Sequence, residues 1–140
     1  MVEIVAFSGP DGTGKSSLAR VYETQLPESV PILSFANPIY KEVADYLGIT
    51  EAELREPTVK AKYRPLLRAV GEQRRLEDPL YWVRAMQATI QREGYARVIF
   101  DDLRFVSEAQ MVKDSGGILV YLDRQILPEE MENSTFQDLP

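Results

Sequence analysis

The sequence predicts an α/β fold of three layers, with helices on both faces of a mostly parallel sheet of four to five strands. Three observations carry this. Four short apolar runs rich in Val and Ile, at 2–7, 32–35, 97–100 and 118–122, have the unbroken hydrophobicity of strands covered on both faces. Stretches with helical spacing and helix-end signals separate them, as right-handed parallel crossovers require. The first run leads into Gly9-Pro10-Asp11-Gly12-Thr13-Gly14-Lys15-Ser16, which fits the Gly-x4-Gly-Lys-Ser pattern of a phosphate-binding (Walker A) loop between a strand and a helix.

After the loop, Leu18, Val21, Tyr22 and Leu26 keep the spacing of one helix face. Beyond the second strand, Asn37-Pro38 predicts an N-cap followed by proline at the first helical position, with Gly48 ending that helix. Thr50 and Glu53 predict a capping box for a short helix stopped by Pro57. A further helix carries residues 63–75, with Pro65 placed in its first turn or at a kink. Asp78-Pro79 opens another, in which Val83, Met86 and Ile90 share a face and Gly94 follows the end. Phe105, Ala109 and Val112 mark the last helix, closed by Gly116-Gly117. The 140 residues predict one domain, with a helical insertion at 38–92 that is too long for a simple crossover and is expected to cover the acceptor site at the carboxyl edge of the sheet. The weakly patterned tail, 125–140, is expected to be mobile or cut short.

The formal net charge of −6 argues against steering toward nucleic acid, so any anionic ligand must meet a local cluster of positive charge. No apolar run is long enough to span a bilayer, and no secretory leader is expected before the first strand. Cysteine is absent, which excludes disulfides and thiolate zinc sites and fits a reducing cytoplasm. Histidine is absent too, which removes Ser-His and Cys-His nucleophile schemes.

Within the loop, Gly9, Gly12 and Gly14 free the backbone to wrap a phosphate with its amides at the positive end of the next helix, together with Thr13 and Ser17. Lys15 is expected to reach the β- and γ-phosphates and the Ser16 hydroxyl to ligate Mg²⁺. Asp11 faces either an acceptor's hydroxyls, a metal-bound water or solvent. The strand at 97–100 ends in Asp101-Asp102, and such a terminal carboxylate beside a phosphate loop can hold Mg²⁺. Arg64, Arg68 and Arg75 fall within ~40° of one another on a helix, and Gly71 lies on the same stripe, where a missing side chain would admit a ligand. Three guanidiniums and a gap read as a phosphate fork, or alternatively as a basic face paired with Glu72 or Glu77. Arg104 and Arg124 follow strands and are candidates for stabilising charge in flight. Trp82 and Phe35 either stack on a base or fill the core.

Taken together, Ser34-Phe35-Ala36, Lys41-Glu42, Arg64 to Leu67, Gly71-Glu72, Arg75, Trp82-Val83, Asp102-Leu103-Arg104-Phe105 with Glu108, Gly116-Gly117 and Arg124 resemble the deoxynucleoside monophosphate kinases, P-loop kinases often encoded by bacteriophages. The loop itself is more similar to that of thymidylate kinases. The resemblance implies a nucleoside monophosphate kinase-like P-loop fold and ATP-dependent phosphoryl transfer to a deoxynucleoside 5′-monophosphate in the (host) cytoplasm. It implies ATP and Mg²⁺ on the loop with Asp102, favoured over Asp101, as the metal-linked carboxylate. The acceptor would be met by Asp11, Ser34, Phe35, Ala36, Lys41, Arg64, Arg68, Gly71, Arg75, Trp82 and Arg104, and the phosphates in flight by Arg104 and Arg124. Expected partners are small-molecule nucleotides, with no nucleic acid and no membrane. Members of that family continue through a lid, a helix and a fifth strand whose loop touches adenine, so that wall is expected to be missing or supplied by a partner, a homodimer included.

A monophosphate acceptor needs no histidine, because its second ionisation lies near pH ~6 and its oxygen is already charged. A hydroxyl acceptor would need an Asp base, which Asp11 or Asp101 could supply. A non-catalytic nucleotide-binding protein is the third reading. A GTPase switch is disfavoured, since no Asn-Lys-x-Asp segment is present.

Overall fold

The computed structural model describes residues 2–10 and 12–123. Asp11, Arg124 and the tail 125–140 lie outside the described residues, so the roles expected of them have no structural counterpart here. The chain divides into two compact units, a sheet unit formed by residues 1–34 and 94–140 and a helical unit, Phe35–Glu93. The single domain expected from chain length is thus built as two parts.

The sheet unit contains β1 (Glu3–Ser8), α1 (Lys15–Thr24), β2 (Ile32–Leu33), β3 (Arg97–Leu103), α6 (Val106–Asp114) and β4 (Ile118–Tyr121). All strands pair in parallel, in the order β2-β3-β1-β4. This agrees with the α/β class and with the four predicted strands. Val5, Phe7 and Ile99 pack with Leu18 and Ala19 of α1, and Ile118 and Val120 lie against the same cluster. Ile4, Ala6, Val98 and Phe100 alternate to the opposite face, and all four are buried. Gly117 shows how tightly α6 returns there: a Cβ at that position would sit 2.8 Å from the Ile4 carbonyl and 3.0 Å from Val112.

The order places the connection leaving β1 and the one leaving β3 on adjacent strands that continue to opposite sides of the sheet. Their carboxyl ends therefore bound a switch-point crevice, the usual ligand position in open parallel sheets. β3 is also irregular there. Ala6 pairs with Phe100 but Ser8 with Leu103, so the single residue Phe7 opposes both Asp101 and Asp102. Such a bulge breaks strict alternation and re-aims the carboxylates. It also explains why β3 runs three residues past the predicted end.

The helical unit contains α2 (Asn37–Leu47), α3 (Glu51–Arg55), α4 (Pro57–Glu77) and α5 (Tyr81–Glu93). Tyr40, Val43, Ala44, Leu54 and Leu67 form its core. The Thr50/Glu53 capping box is present, with reciprocal bonds of 3.0 and 3.1 Å. Gly48 ends α2 in the left-handed region at φ 72°, as predicted. One expectation is corrected, and of the two alternatives for Pro65 the first-turn one is removed. Asn37 is the first residue of α2 rather than its cap, and its side chain accepts from Arg55 Nη2 at 2.8 Å. Pro65 lies deep inside α4, because Pro57 starts that helix with Glu56 capping the Val59 amide.

Candidate active site

The loop is curled, not extended. Gly9, Gly12 and Gly14 sit at φ 141°, 83° and 85°. At Gly9 a side chain is excluded outright, since a Cβ there would meet the Leu122 carbonyl oxygen at 2.2 Å. That carbonyl is held in turn because the Leu122 amide donates to Ser8 O at 2.9 Å. The Thr13 hydroxyl donates to Pro10 O at 2.8 Å and closes the loop from within.

Gly14 is the N-cap of α1, whose first intrahelical bond runs from Leu18 N to Gly14 O at 2.8 Å. No side chain caps this terminus and no acidic residue stands in its first turn. The amides of Ser16 and Ser17 stand in that turn at the positive end of the helix, where an external anion would be met. Ser16 and Ser17 lie in this turn, Ser16 half-buried and Ser17 exposed.

Lys15 is 7% exposed, an unusual burial for an ammonium. Its Nζ donates to Pro10 O at 3.3 Å and lies 3.6 Å from Asp102 Oδ1. The ion pair stays inside the site, since its partner is the carboxylate at the end of the neighbouring strand. Asp102 Oδ2 accepts from Arg104 Nε at 3.0 Å. Asp102 Oδ1 is buried and has no hydrogen bond among the described residues. A buried carboxylate oxygen short of donors, beside a buried ammonium and an uncapped helix start, fits a divalent cation bound with a polyphosphate. Asp102 and Ser16 are the residues that would hold it.

Asp101 differs in character. Burial pushes its carboxyl above the ordinary value of 3.8; the adjacent charge of Asp102 adds to this, while its own amide, Arg20 and Lys15 act the other way.

The helical unit carries the other expected residues. Arg64 and Arg68 are exposed on α4 and line a space of about 480 Å³ with Ala61, Pro65, Ala69 and Glu72. Neither guanidinium is paired among the described residues, so the alternative of a salt-bridged face does not describe them. Lys60, one turn before Arg64, lies over the Tyr40 ring at 5.8 Å and extends the basic stripe. Lys41 is exposed on α2, and Arg75 is half-buried on α4.

Gly71 is not the gap the sequence suggested. It is buried, Ile39 Cδ1 lies 3.2 Å from where its Cβ would be, and its carbonyl accepts from Trp82 Nε1 at 3.0 Å. Trp82, 4% exposed, is part of the same packing, and Phe35 is likewise buried, at 4%. Gly71 thus serves the close approach of α4 to α2 and α5. Ser34 and Ala36 are half-buried in the turn after β2.

Sequence reasoning gave no role to two residues of the β3 corner. Ser8 Oγ donates to Leu103 O at 2.9 Å, and the buried Glu108 accepts from the amides of Arg104 and Phe105. Glu108 stood within the resembling motif; Ser8 left no signal, because its partner is a main-chain carbonyl.

The family comparison bears directly on this arrangement. The family model for phosphomevalonate kinase matches residues 7–117, a span that includes the loop, the helical unit and the Asp101–Arg104 corner. The chain belongs to the phosphomevalonate kinase family. It is therefore of a kinase-type phosphotransferase family, in agreement with the enzyme class expected from the loop. The match does not extend to a nucleoside monophosphate as acceptor. No curated protein matches the chain. Among the described residues, no helix is long and apolar enough to cross a membrane.

Proposed function

We propose that the chain transfers the γ-phosphoryl group of Mg-ATP to the phosphate of a deoxynucleoside 5′-monophosphate, giving the diphosphate and ADP. An oxygen of the acceptor phosphate forms the new P–O bond, and the bond between the γ-phosphorus and the β–γ bridging oxygen breaks. The observation that carries this reading is the buried Lys15, set between the loop carbonyl of Pro10 and the under-coordinated Asp102. Magnesium, when bound, would neutralise charge on the transferring phosphates. The chain's own residues then have simple tasks. The amides of the loop and the α1 start cradle phosphate oxygens. Lys15 exchanges its contacts with Pro10 and Asp102 for phosphate oxygens, and Arg104 meets charge from the β3 side. Arg64 and Arg68, exposed and unpaired among the described residues, suit the acceptor phosphate. No protein base is required, since the attacking oxygen is already ionised.

A second acceptor is favoured by the family match: phosphomevalonate. Its chemistry is the same, because it too presents a phosphate monoester and yields a diphosphate. The test is incubation with Mg-ATP and, separately, each deoxynucleoside monophosphate, phosphomevalonate, and a panel of nucleosides and sugars, with ADP and the new diphosphate read by phosphorus NMR. Turnover with a deoxynucleotide, lost in Lys15→Ala, is expected. Turnover with phosphomevalonate alone would move the acceptor assignment. Turnover confined to hydroxyl acceptors, or none above the Lys15→Ala control, would overturn the reading.

A further inference from the structure

Among the described residues, three polar or charged side chains are buried: Thr13, Lys15 and Glu108. Two belong to the phosphate loop. Glu108 lies in the first turn of α6, 5% exposed. Placing a carboxylate there is costly unless strong donors meet it. Its Oε1 accepts from the Arg104 amide at 2.8 Å and from the Phe105 amide at 3.1 Å.

Capping alone does not account for this choice. Phe105 is the N-cap of α6, in extended backbone at φ −118°, and its side chain offers no acceptor. A Ser, Thr, Asp or Asn at that position would cap the helix from the solvent side with no buried charge. Glu108 instead reaches back from inside and holds the amide of Arg104, one residue before the cap. The intervening corner is fixed from the other side as well, because Ser8 Oγ donates to Leu103 O at 2.9 Å. Between these two clamps, Arg104 Nε lies 3.0 Å from Asp102 Oδ2.

We infer that Glu108 is a positioning residue of the phosphoryl-transfer site: its carboxylate fixes the main chain at Arg104 and so delivers the guanidinium beside Asp102. The inference rests on the phosphotransferase reading above, and its test separates the two. Steady-state kinetics with Mg-ATP and the accepted monoester, together with the calorimetric Kd for Mg-AMP-PNP, are measured for wild type, Glu108→Gln, Glu108→Ala, Arg104→Ala and the Glu108→Ala/Arg104→Ala double variant. Thermal unfolding checks that each is folded.

Glu108→Ala lowers kcat by about 10- to 100-fold, the range for a misplaced catalytic group, and weakens Mg-AMP-PNP binding by the same factor as Arg104→Ala. Glu108→Gln keeps an oxygen for the two amides and loses no more than a few-fold. In the Arg104→Ala background, Glu108→Ala has no further effect. Additive losses would overturn the inference, and so would a Glu108→Gln variant as impaired as Glu108→Ala. Should Glu108→Ala not fold, Glu108→Asp, which keeps the charge but withdraws the oxygen from the amides, is read the same way. If wild type transfers to no monoester, the functional reading fails, and the cycle is then judged on Kd for Mg-AMP-PNP: equal, non-additive weakening supports Glu108's role, and additive weakening removes it.

Discussion

Replacing Gly9 with alanine tests the loop without reference to activity. The new methyl carbon would start 2.2 Å from the Leu122 carbonyl oxygen, more than 1 Å inside ordinary contact, at a φ of 141°. The backbone strain is worth about 1–3 kcal/mol. The clash cannot be relieved by a side-chain rotation, because the obstacle is main chain tied by the Leu122–Ser8 bond; forced displacement of this kind costs about 1–3 kcal/mol more. Restricting the unfolded chain returns roughly 0.4–1 kcal/mol. The net loss is therefore about 1–6 kcal/mol, or a fall in Tm of roughly 3–20 °C for a chain of this size. Gly12→Ala is the matched control: φ is 83°, but nothing lies within 4 Å of the added carbon, so only about 1–2 kcal/mol of backbone strain applies. Urea unfolding followed by far-ultraviolet circular dichroism measures both. If the two variants lost the same stability to within about 0.5 kcal/mol, the close approach of Leu122 to the loop would be refuted.

Four further outcomes are expected. Lys15→Ala lowers ADP formation by about 10²- to 10³-fold, the usual consequence of losing a fixed charge that meets a transition state, measured in a coupled assay. Trp82→Phe costs about 1–3 kcal/mol through the lost bond to Gly71 O and imperfect filling, measured by urea unfolding. Gly71→Ala stays within about 1 kcal/mol of wild type, because the helix-propensity gain offsets a tight contact with the movable Ile39 methyl, and its turnover is retained. Asp101→Asn gains stability relative to wild type as pH rises. The folded pKa of Asp101 lies above its ordinary 3.8, so the folded state holds the proton longer than the unfolded state. Wild-type stability from this group is full below that value and is lost as pH rises through the folded pKa. Urea titrations at several pH values in metal-free buffer test it, and a gap that does not change with pH would contradict it.

Much of the sheet unit was legible because its strands are apolar on both faces, and the loop because glycine spacing encodes backbone conformation. The Asp101-Asp102 pair was visible as a strand ending; that the strand continues through it was not, since a bulge depends on register with Phe7. Helix ends set by local chemistry, such as Thr50 with Glu53 and Gly48, followed the sequence. Asn37 did not, because a distant Arg55 takes its side chain. Gly71 was misjudged for a related reason: a missing side chain shows in the sequence, but what fills its place comes from Ile39 and Trp82 on other helices. Glu108 was seen as part of a motif, yet its partners are main-chain amides, which leave no residue-specific trace. Arg64 and Arg68 were singled out by angular spacing, which does not depend on packing, and both are exposed on α4.

The sole indole of this chain is anchored in the helical unit, with its N–H committed to a carbonyl of α4. Intrinsic emission excited at the red edge is therefore a private reporter for that half, blind to the strands. Dichroism senses the whole chain. Comparing melting curves from the two signals would show whether the halves come apart in one event or in succession, with no label attached.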